Sequence, residues 1–478
     1  MVKNILRLPF WQIKSGFVSP SAAENSEPKR QKLSNESTTE PAIDMISDLP
    51  ELVLFHILSF LPTNDAVATS ILSTKWRFLW TKMTIFNFDD GLFPAGGSGP
   101  SGRRNRRLDA GKREIFVNFV DRVFLVTAAT FMKKLSLKCG KRCGQNHINN
   151  WIRTAIGRGV EELDLTTYGH GLDYRLPGSS LFICKTLVAL NLSGDVMINE
   201  TSSGSFPNLK ILYLTSVKYQ SDDSVRKFIS SCLVLEQLTV VRDREDNVVT
   251  FTISAPTLKH LTIDFRSCSD DSDRALKINA PALQCLNLFD DLSINFMVED
   301  LTSLVEAKVD VFNKKMLMYN EGYRDSVVGF LMSLHNAKIL CLRYHSVEVL
   351  SYYWISTRFQ NLIRLVLQSR YCDWIALEDL LQQAENLETF HVNARFIHWR
   401  EPEQVPKCVS STLTRIFLGS FGCVKYERTM VKYFLNNAKV LKSMEILTYN
   451  VDELKKENTL QKILRFQRAS QACQIKLS

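Results

Sequence analysis

One spacing of apolar residues recurs along most of this 478-residue chain: apolar, two variable positions, apolar, one variable position, apolar. It is plainest in Leu187-Val-Ala-Leu190-Asn-Leu192 and Leu283-Gln-Cys-Leu286-Asn-Leu288, and weakest in Leu304-Val-Glu-Ala307-Lys-Val309. Thirteen units run from Phe131-Met-Lys-Lys-Leu135-Ser-Leu137 to Leu441-Lys-Ser-Met444-Glu-Ile446. Within each, the last two apolar positions flank a variable one, the period of a half-buried strand. Ile85–Asp90 (IFNFDD) alternates likewise and predicts a strand ahead of the series. Val225, Phe228, Ile229 and Cys232 fall instead at helical spacing, as do Phe116, Phe119, Val120, Val123 and Phe124 within 112–129.

The twelve steps from Leu135 to Met444 average about 26 residues, a leucine-rich-repeat period. Each unit supplies one short strand. Stacked units form a parallel sheet on a concave side, and the segments between them build a convex layer. A lone unit cannot cover its own Leu residues; its neighbours do. The long step from Ala307 to Leu340 predicts an insertion or a lost unit near 310–335. The fold class is α/β: a short N-terminal helical module followed by an irregular leucine-rich-repeat solenoid.

Residues 48–83 follow another pattern. Asp48, with Glu51 three residues on, reads as a capping box, and Pro50 falls in the first turn. Leu54, Ile57, Leu58 and Leu61 then repeat on one face, and Pro62 ends the helix. Thr63 to Asp65 offers caps for a second short helix through Val67 and Ile71. Ser73 offers one for a third, with Trp76, Leu79, Trp80 and Met83 on one stripe. Three such helices cannot bury this much apolar surface among themselves. The surplus faces the next domain or another protein.

Leu49-Pro50, Ile57-Leu58, Leu61-Pro62, Ser70, Leu72-Ser73, Trp76-Arg77 and Leu79-Trp80 resemble, in order and spacing, the plant form of the F-box. That motif marks substrate adaptors of Skp–cullin–F-box ubiquitin ligases. The resemblance implies that Leu49, Pro50, Leu54, Ile57, Leu58, Leu61, Pro62, Leu72 and Trp76 contact a Skp-type adaptor, and that the adaptor links the chain to a cullin. It implies a non-catalytic subunit whose repeats hold a target protein for ubiquitination. The irregular repeats are similar throughout to those of plant F-box proteins. Trp399-x-x-Pro402-x-x-Val405-Pro406-x-Cys408, Ser411-x-Leu413, Gly419, Glu427, Tyr433-x-Leu435-x-Asn437-Ala438 and Leu441-Lys442 look like the FBD domain that follows such repeats. The chain departs from it in having Leu418 where an aromatic is usual, and Gly419 and Gly422 for a Gly-Gly pair. A helix over 427–439, with Val431, Phe434, Leu435 and Ala438 inward, is expected to cap the open end of the solenoid.

Composition narrows the alternatives. The 59 Lys and Arg exceed the 50 Asp and Glu by nine, and residues 101–113 alone hold six cations against one acid. So local an excess reads as a solvated loop, and no nucleic-acid partner is expected. No apolar run nears the roughly 18 residues of a membrane span, so no membrane partner is expected either. Eleven widely scattered cysteines, with no export signal, read as reduced thiols of the cytoplasm or nucleus. Pro28-Lys29-Arg30-Gln31-Lys32 offers a basic cluster suited to nuclear import.

No HExxH, Walker A or GxSxG motif occurs, and no cofactor is expected. Gly97-x-Gly99-x-x-Gly102 matches the dinucleotide fingerprint formally, but it lies in low-complexity sequence with Pro100 inside it. Cys139-x3-Cys143-x3-His147 has metal-like spacing, but the closest further ligand is His170, beyond the next strand. The acid pairs Asp222-Asp223, Asp270-Asp271 and Asp290-Asp291 read as solvated turns. Lys133, Lys210, Lys259, Arg364 and Arg415 sit at variable strand positions, where a small anionic ligand would need them; Glu161, Glu236 and Glu388 are interspersed.

The expected organisation is a disordered tail over 1–43, an F-box over 44–90, a flexible basic Gly/Ser-rich loop over 91–111, repeats over 112–398, and an FBD-like end over 399–478. The principal functional expectation is a ligase substrate adaptor of nucleus and cytoplasm. The alternative is a repeat scaffold that binds proteins outside ubiquitination.

Overall fold

Apolar rows stacked in register build the larger part of the structure. The computed structural model describes residues 46–93, 106–127, 130–140 and 143–478. Within the last range the segments 170–173, 177–180, 183, 200–203, 243–246, 266–273, 292, 300, 312–319, 351–356, 373 and 398 are left out. The expected 1–43 tail with its basic cluster, the Gly97–Gly102 run and His170 lie outside the described residues. The chain divides into two compact units, Met1–Leu165 and Thr166–Ser478.

In the second unit twelve parallel strands follow one another from Ala189–Gly194 to Gln474–Leu477. Leu190, Leu212, Leu238, Leu261 and Leu286 are successive cross-strand partners. The row continues through Ala307, Leu340, Leu365, Phe390, Ile416 and Met444. All of these are buried, and a second row from Leu192 to Ile446 is buried beside them. Each fully buried Leu contributes about 1.5–3 kcal/mol. Every expected unit of this region therefore forms its strand. Ala307 pairs directly with Leu340, so no unit is lost at the long step; the helix Glu321–Ser333 fills it as an insertion.

The layer behind the strands changes character along the unit. Two three-stranded parallel sheets serve it first, one of Tyr174–Arg175, Val196–Ile198 and Lys218–Tyr219, the other of Thr250–Ser254, Arg274–Asn279 and Ser293–Val298. The amphipathic helix Asp222–Ser230 packs against Thr250–Ser254 and buries Val225, Phe228 and Ile229, as its spacing predicts. Helices take over from Glu321 onward.

The helix Lys425–Asn437 buries Val431, Phe434 and Leu435 on the expected face, with Ala438 buried just beyond its end. It does not close the solenoid. The strand Ser443–Thr448, the helix Glu453–Leu464 and a final strand Gln474–Leu477 follow, and Met444 pairs with Ile475. QIKL is too short a segment to signal a further strand by periodicity.

In the first unit Ile85–Asp89 pairs in parallel with Lys134–Cys139, matching Phe86 to Leu135. Phe131 is exposed and Met132 buried instead, because the inward position lies three residues before Leu135, as in the other units. Phe116, Phe119, Val120, Val123 and Phe124 face inward as predicted, and the Phe88 and Phe119 rings lie 6.1 Å apart. Their helix begins at Arg106, inside the stretch expected to be loop over 91–111. Arg, Leu and Ala are good helix formers, and the glycine-based boundary underweighted them. No helix among the described residues is long and apolar enough to cross a membrane.

Gly194 adopts φ +81°, and a Cβ there would meet the Thr167 carbonyl oxygen at 1.9 Å. Gly194→Ala is expected to cost about 1–3 kcal/mol in backbone strain alone, read as a lower urea midpoint. Glu427 gives a second test. Its buried carboxylate accepts from Gly422 N (2.9 Å) and Val424 N (3.1 Å). Burial nevertheless holds its pKa above the ordinary carboxylate range. The fold thus binds that proton more tightly than the unfolded chain does. The resulting stabilisation is full below the unfolded value of about 4.3 and fades as pH rises through the higher folded one. Stability relative to Glu427→Gln is expected to fall as pH rises from about 4 in paired urea melts.

Candidate functional site

Two surfaces stand out, one in each unit. In the first unit the opening helix, Glu51–Ser59, is apolar nearly all the way round. Its N-cap is Pro50, with no side-chain cap; Val53 N and Leu54 N bond the Pro50 carbonyl at 2.9 and 3.2 Å. Glu51 pairs with Lys82 at 3.2 Å and makes no capping box with Asp48. The second helix, Thr63–Ala68, is likewise entered from a proline, Pro62, and the Thr63 hydroxyl accepts from Asn87 N at 2.8 Å. The third is a 3-10 helix, Trp76–Lys82, uncapped by Ser73. Proline's fixed φ sets the first two entries, where the expected side-chain caps are not used.

At 100° per residue, Leu54, Leu58 and Leu61 share one side of the opening helix, Leu52, His56 and Phe60 lie opposite, and Val53 and Ile57 fall on the flank between them. The structure turns the first side inward. Leu54 and Leu58 are 0% exposed, Trp76 is 4% exposed, and Leu49, Leu61 and Pro62 are half-buried. Trp76 Nε1 donates to Ser47 Oγ at 3.0 Å, and Lys75 Nζ donates to the Ser47 and Leu49 carbonyls, pinning the strand of chain before Pro50. Leu54, Leu58 and Trp76 are thus buried within the module, where they pack its helices together. Of the nine expected contact residues, Pro50, Ile57 and Leu72 are exposed.

The open apolar surface is carried mainly by residues the sequence reading passed over. Leu52 is 80% and Phe60 74% exposed, with Val53, Ile71 and Phe78 also exposed. Phe60 stands edge-on to His56 at 4.8 Å, and the Arg77 guanidinium lies 5.5 Å from the Phe78 ring centre. A signal existed: ELVLFHILSF leaves no polar side facing water, which a surface helix should have.

In the second unit the strand face between the buried rows is open. Near its middle, Gln237, His260, Thr262, Asn287, Glu306 and Lys308 line a shallow polar cavity of about 360 Å³. Lys210 and Lys259 both reach Glu236, at 3.2 and 3.0 Å, and their bonds, Lys259 first, hold its carboxyl below the usual range. These two cations are thereby engaged, and no anion pocket forms around them. Farther along, His391 stacks on Phe417 at 4.1 Å, and burial lowers the imidazole pKa.

The remaining candidates have structural roles. The Cys139 and Cys143 thiols share a hydrogen bond that, with burial, holds Cys139 well above the thiol range. No three His, Cys, Asp or Glu among the described residues gather closely enough to hold a metal ion. Asp222 accepts from Val249 N and Thr250 N at 2.9 and 2.7 Å, and Asp290 is buried and accepts from Ser293 N at 2.8 Å. Both tie loops together; neither is the solvated turn its sequence suggests.

Comparison with known proteins agrees with this geometry. An F-box domain model matches residues 46–88, and a model described as At1g61320/AtMIF1, LRR domain, matches residues 128–448. The F-box/LRR-repeat protein At3g59190 of Arabidopsis thaliana is 32% identical over 364 residues, 72% of this chain and 92% of that protein. The F-box/FBD/LRR-repeat protein At5g22660 of the same plant is 31% identical over 452 residues, 90% of this chain and 96% of that one. The Arabidopsis protein named probable FBD-associated F-box protein At1g32375 is 29% identical over 450 residues, covering 91% and 99%. With a helical module that exposes apolar side chains, a parallel leucine-rich sheet behind it in sequence, and relatives of the same layout along most of its length, this chain belongs to the plant F-box/FBD/leucine-rich-repeat family.

Proposed function

We propose that this chain is the target-recognition subunit of a Skp–cullin–F-box ubiquitin ligase. The observation that carries the reading is the outward face of the opening helix. A large, contiguous set of exposed aliphatic and aromatic side chains on a folded domain marks a protein-binding surface. Leu52, Val53, Ile57 and Phe60, joined by Pro50 and Leu72, form the anchor for a Skp-type adaptor. Leu54, Leu58 and Trp76 act behind them as the support that fixes the helix. Such interfaces draw most of their energy from a few buried apolar anchors. The adaptor in turn joins the chain to a cullin.

The chain performs no bond chemistry in this reading. It holds a target protein on the strand face of its second unit and contributes proximity, raising the local concentration of target lysines near the charged carrier. The strand face suits a protein partner because it alternates polar, charged and aromatic positions, Lys308, His391 and Phe417 among them. Nucleus and cytoplasm are the proposed compartments. All ten described cysteines are free thiols, in keeping with a reducing setting.

Leu52→Asp with Phe60→Asp is expected to weaken adaptor binding at least a hundredfold in a pull-down titration while the circular-dichroism melt stays unchanged. Leu58→Asp should lose binding together with the local fold, because it places a charge in the helix core. Wild-type affinity in the first double variant would sink the assignment of the face. A size-exclusion run of chain, adaptor and cullin tests the assembly. One co-eluting ternary peak is expected; an adaptor complex that excludes cullin would favour a scaffold working outside ubiquitination.

A further inference from the structure

The helices Lys425–Asn437 and Glu453–Leu464 and the turn after the second enclose a cleft of about 400 Å³. Lys425, Arg428 and Lys432 line it from the first helix; Lys462 and Arg465 line it from the second helix and the turn. Phe466 supplies an apolar wall. No carboxylate is among the lining residues. Residues 425–478 hold eleven Lys and Arg against five Asp and Glu, a surplus of six, larger than the surplus of five over residues 101–113. The sequence hides this surplus because helical spacing distributes it.

Elsewhere in the second unit several cations are neutralised. Lys210 and Lys259 share Glu236, Lys407 meets Glu385 at 2.6 Å, Lys476 meets Glu445 at 3.3 Å, and Arg226 meets Asp223 at 2.8 Å. In the cleft none of the five forms an ion pair with a carboxylate among the described residues. Arg428 is held in place by its bond to the Cys423 carbonyl at 2.7 Å. Like charges gathered in one concavity repel each other, and an anion between them removes the repulsion.

We propose that this cleft binds a phosphoryl group. Two guanidinium groups offer the paired N–H donors that phosphate oxygens accept, and three ammonium groups match its double charge. The cleft is the size of a small ligand rather than an extended groove. A single aromatic wall provides no stacking platform for successive nucleic-acid bases. The phosphoryl group belongs either to a phosphorylated side chain of a bound protein or to a free phosphorylated small molecule. The site lies in the unit that lacks the F-box and does not rest on the adaptor reading.

Isothermal titration of the full chain with sodium tripolyphosphate, with a capped phosphoserine tripeptide and with citrate tests the site. Both phosphate probes are expected to bind at least tenfold more tightly than citrate. Lys432→Ala with Lys462→Ala, both at exposed positions, should weaken phosphate binding at least tenfold and leave the thermal melt and adaptor binding unchanged. Tighter binding of tripolyphosphate than of the phosphopeptide assigns the small-molecule source, and the reverse assigns a phosphorylated protein. Equal affinity for citrate and phosphate, or an unchanged affinity in the double variant, would overturn the proposal.

Discussion

The register of the buried apolar rows governs the second unit. Each strand presents its inward side chains at the same height as its neighbours', so a row such as Leu238, Leu261 and Leu286 is covered from both sides by copies of itself. Cohesion is then a matter of nearest neighbours, and no central core exists whose loss would dissolve everything at once. The consequence is local tolerance. Ala307 sits in the row with a smaller side chain, and the chain inserts a helix before Leu340 without a break in pairing. The layer behind the strands is equally free to change from short sheets to helices, because only the row itself is fixed.

The rows were legible because three apolar positions recur at fixed offsets, and a repeated weak signal becomes a strong one. Leu187, Leu190 and Leu192 announce a strand together, whatever intervenes before Leu209. The layer behind had no such redundancy. Thr250–Ser254 alternates as TFTIS, but five residues of alternation in isolation do not distinguish a rear strand from a loop. The final strand, Gln474–Leu477, fails for the same reason. The basic cleft was invisible because Lys425, Lys432, Lys462 and Arg465 come together only through the packing of two helices.

The opening module shows a different limit. Its family resemblance and its helical content were readable from the order of its residues. Which side of Glu51–Ser59 points inward was not, because periodicity locates a face only when the opposite face is polar. Leu54 and Leu58 occupy one side and Leu52 and Phe60 the other, so the pattern does not tell the inward side from the outward one. The caps failed for a related reason. Asp48, Thr63 and Ser73 are good capping types, yet proline already fixed the backbone at two of the three helix starts.

A helix that is apolar on both sides leaves little room for sequence drift. On an ordinary surface helix about half the positions accept almost any polar replacement, and those positions absorb random change. Between Glu51 and Phe60 that reservoir is nearly empty. A polar residue on the inner side opens the packing around Leu54 and Leu58, and one on the outer side blunts the face that Leu52 and Phe60 present. The strand face of the second unit is less constrained, since its outward side chains lie outside the buried rows. Within one chain, a rigid segment is thus joined to a surface free to be rewritten residue by residue.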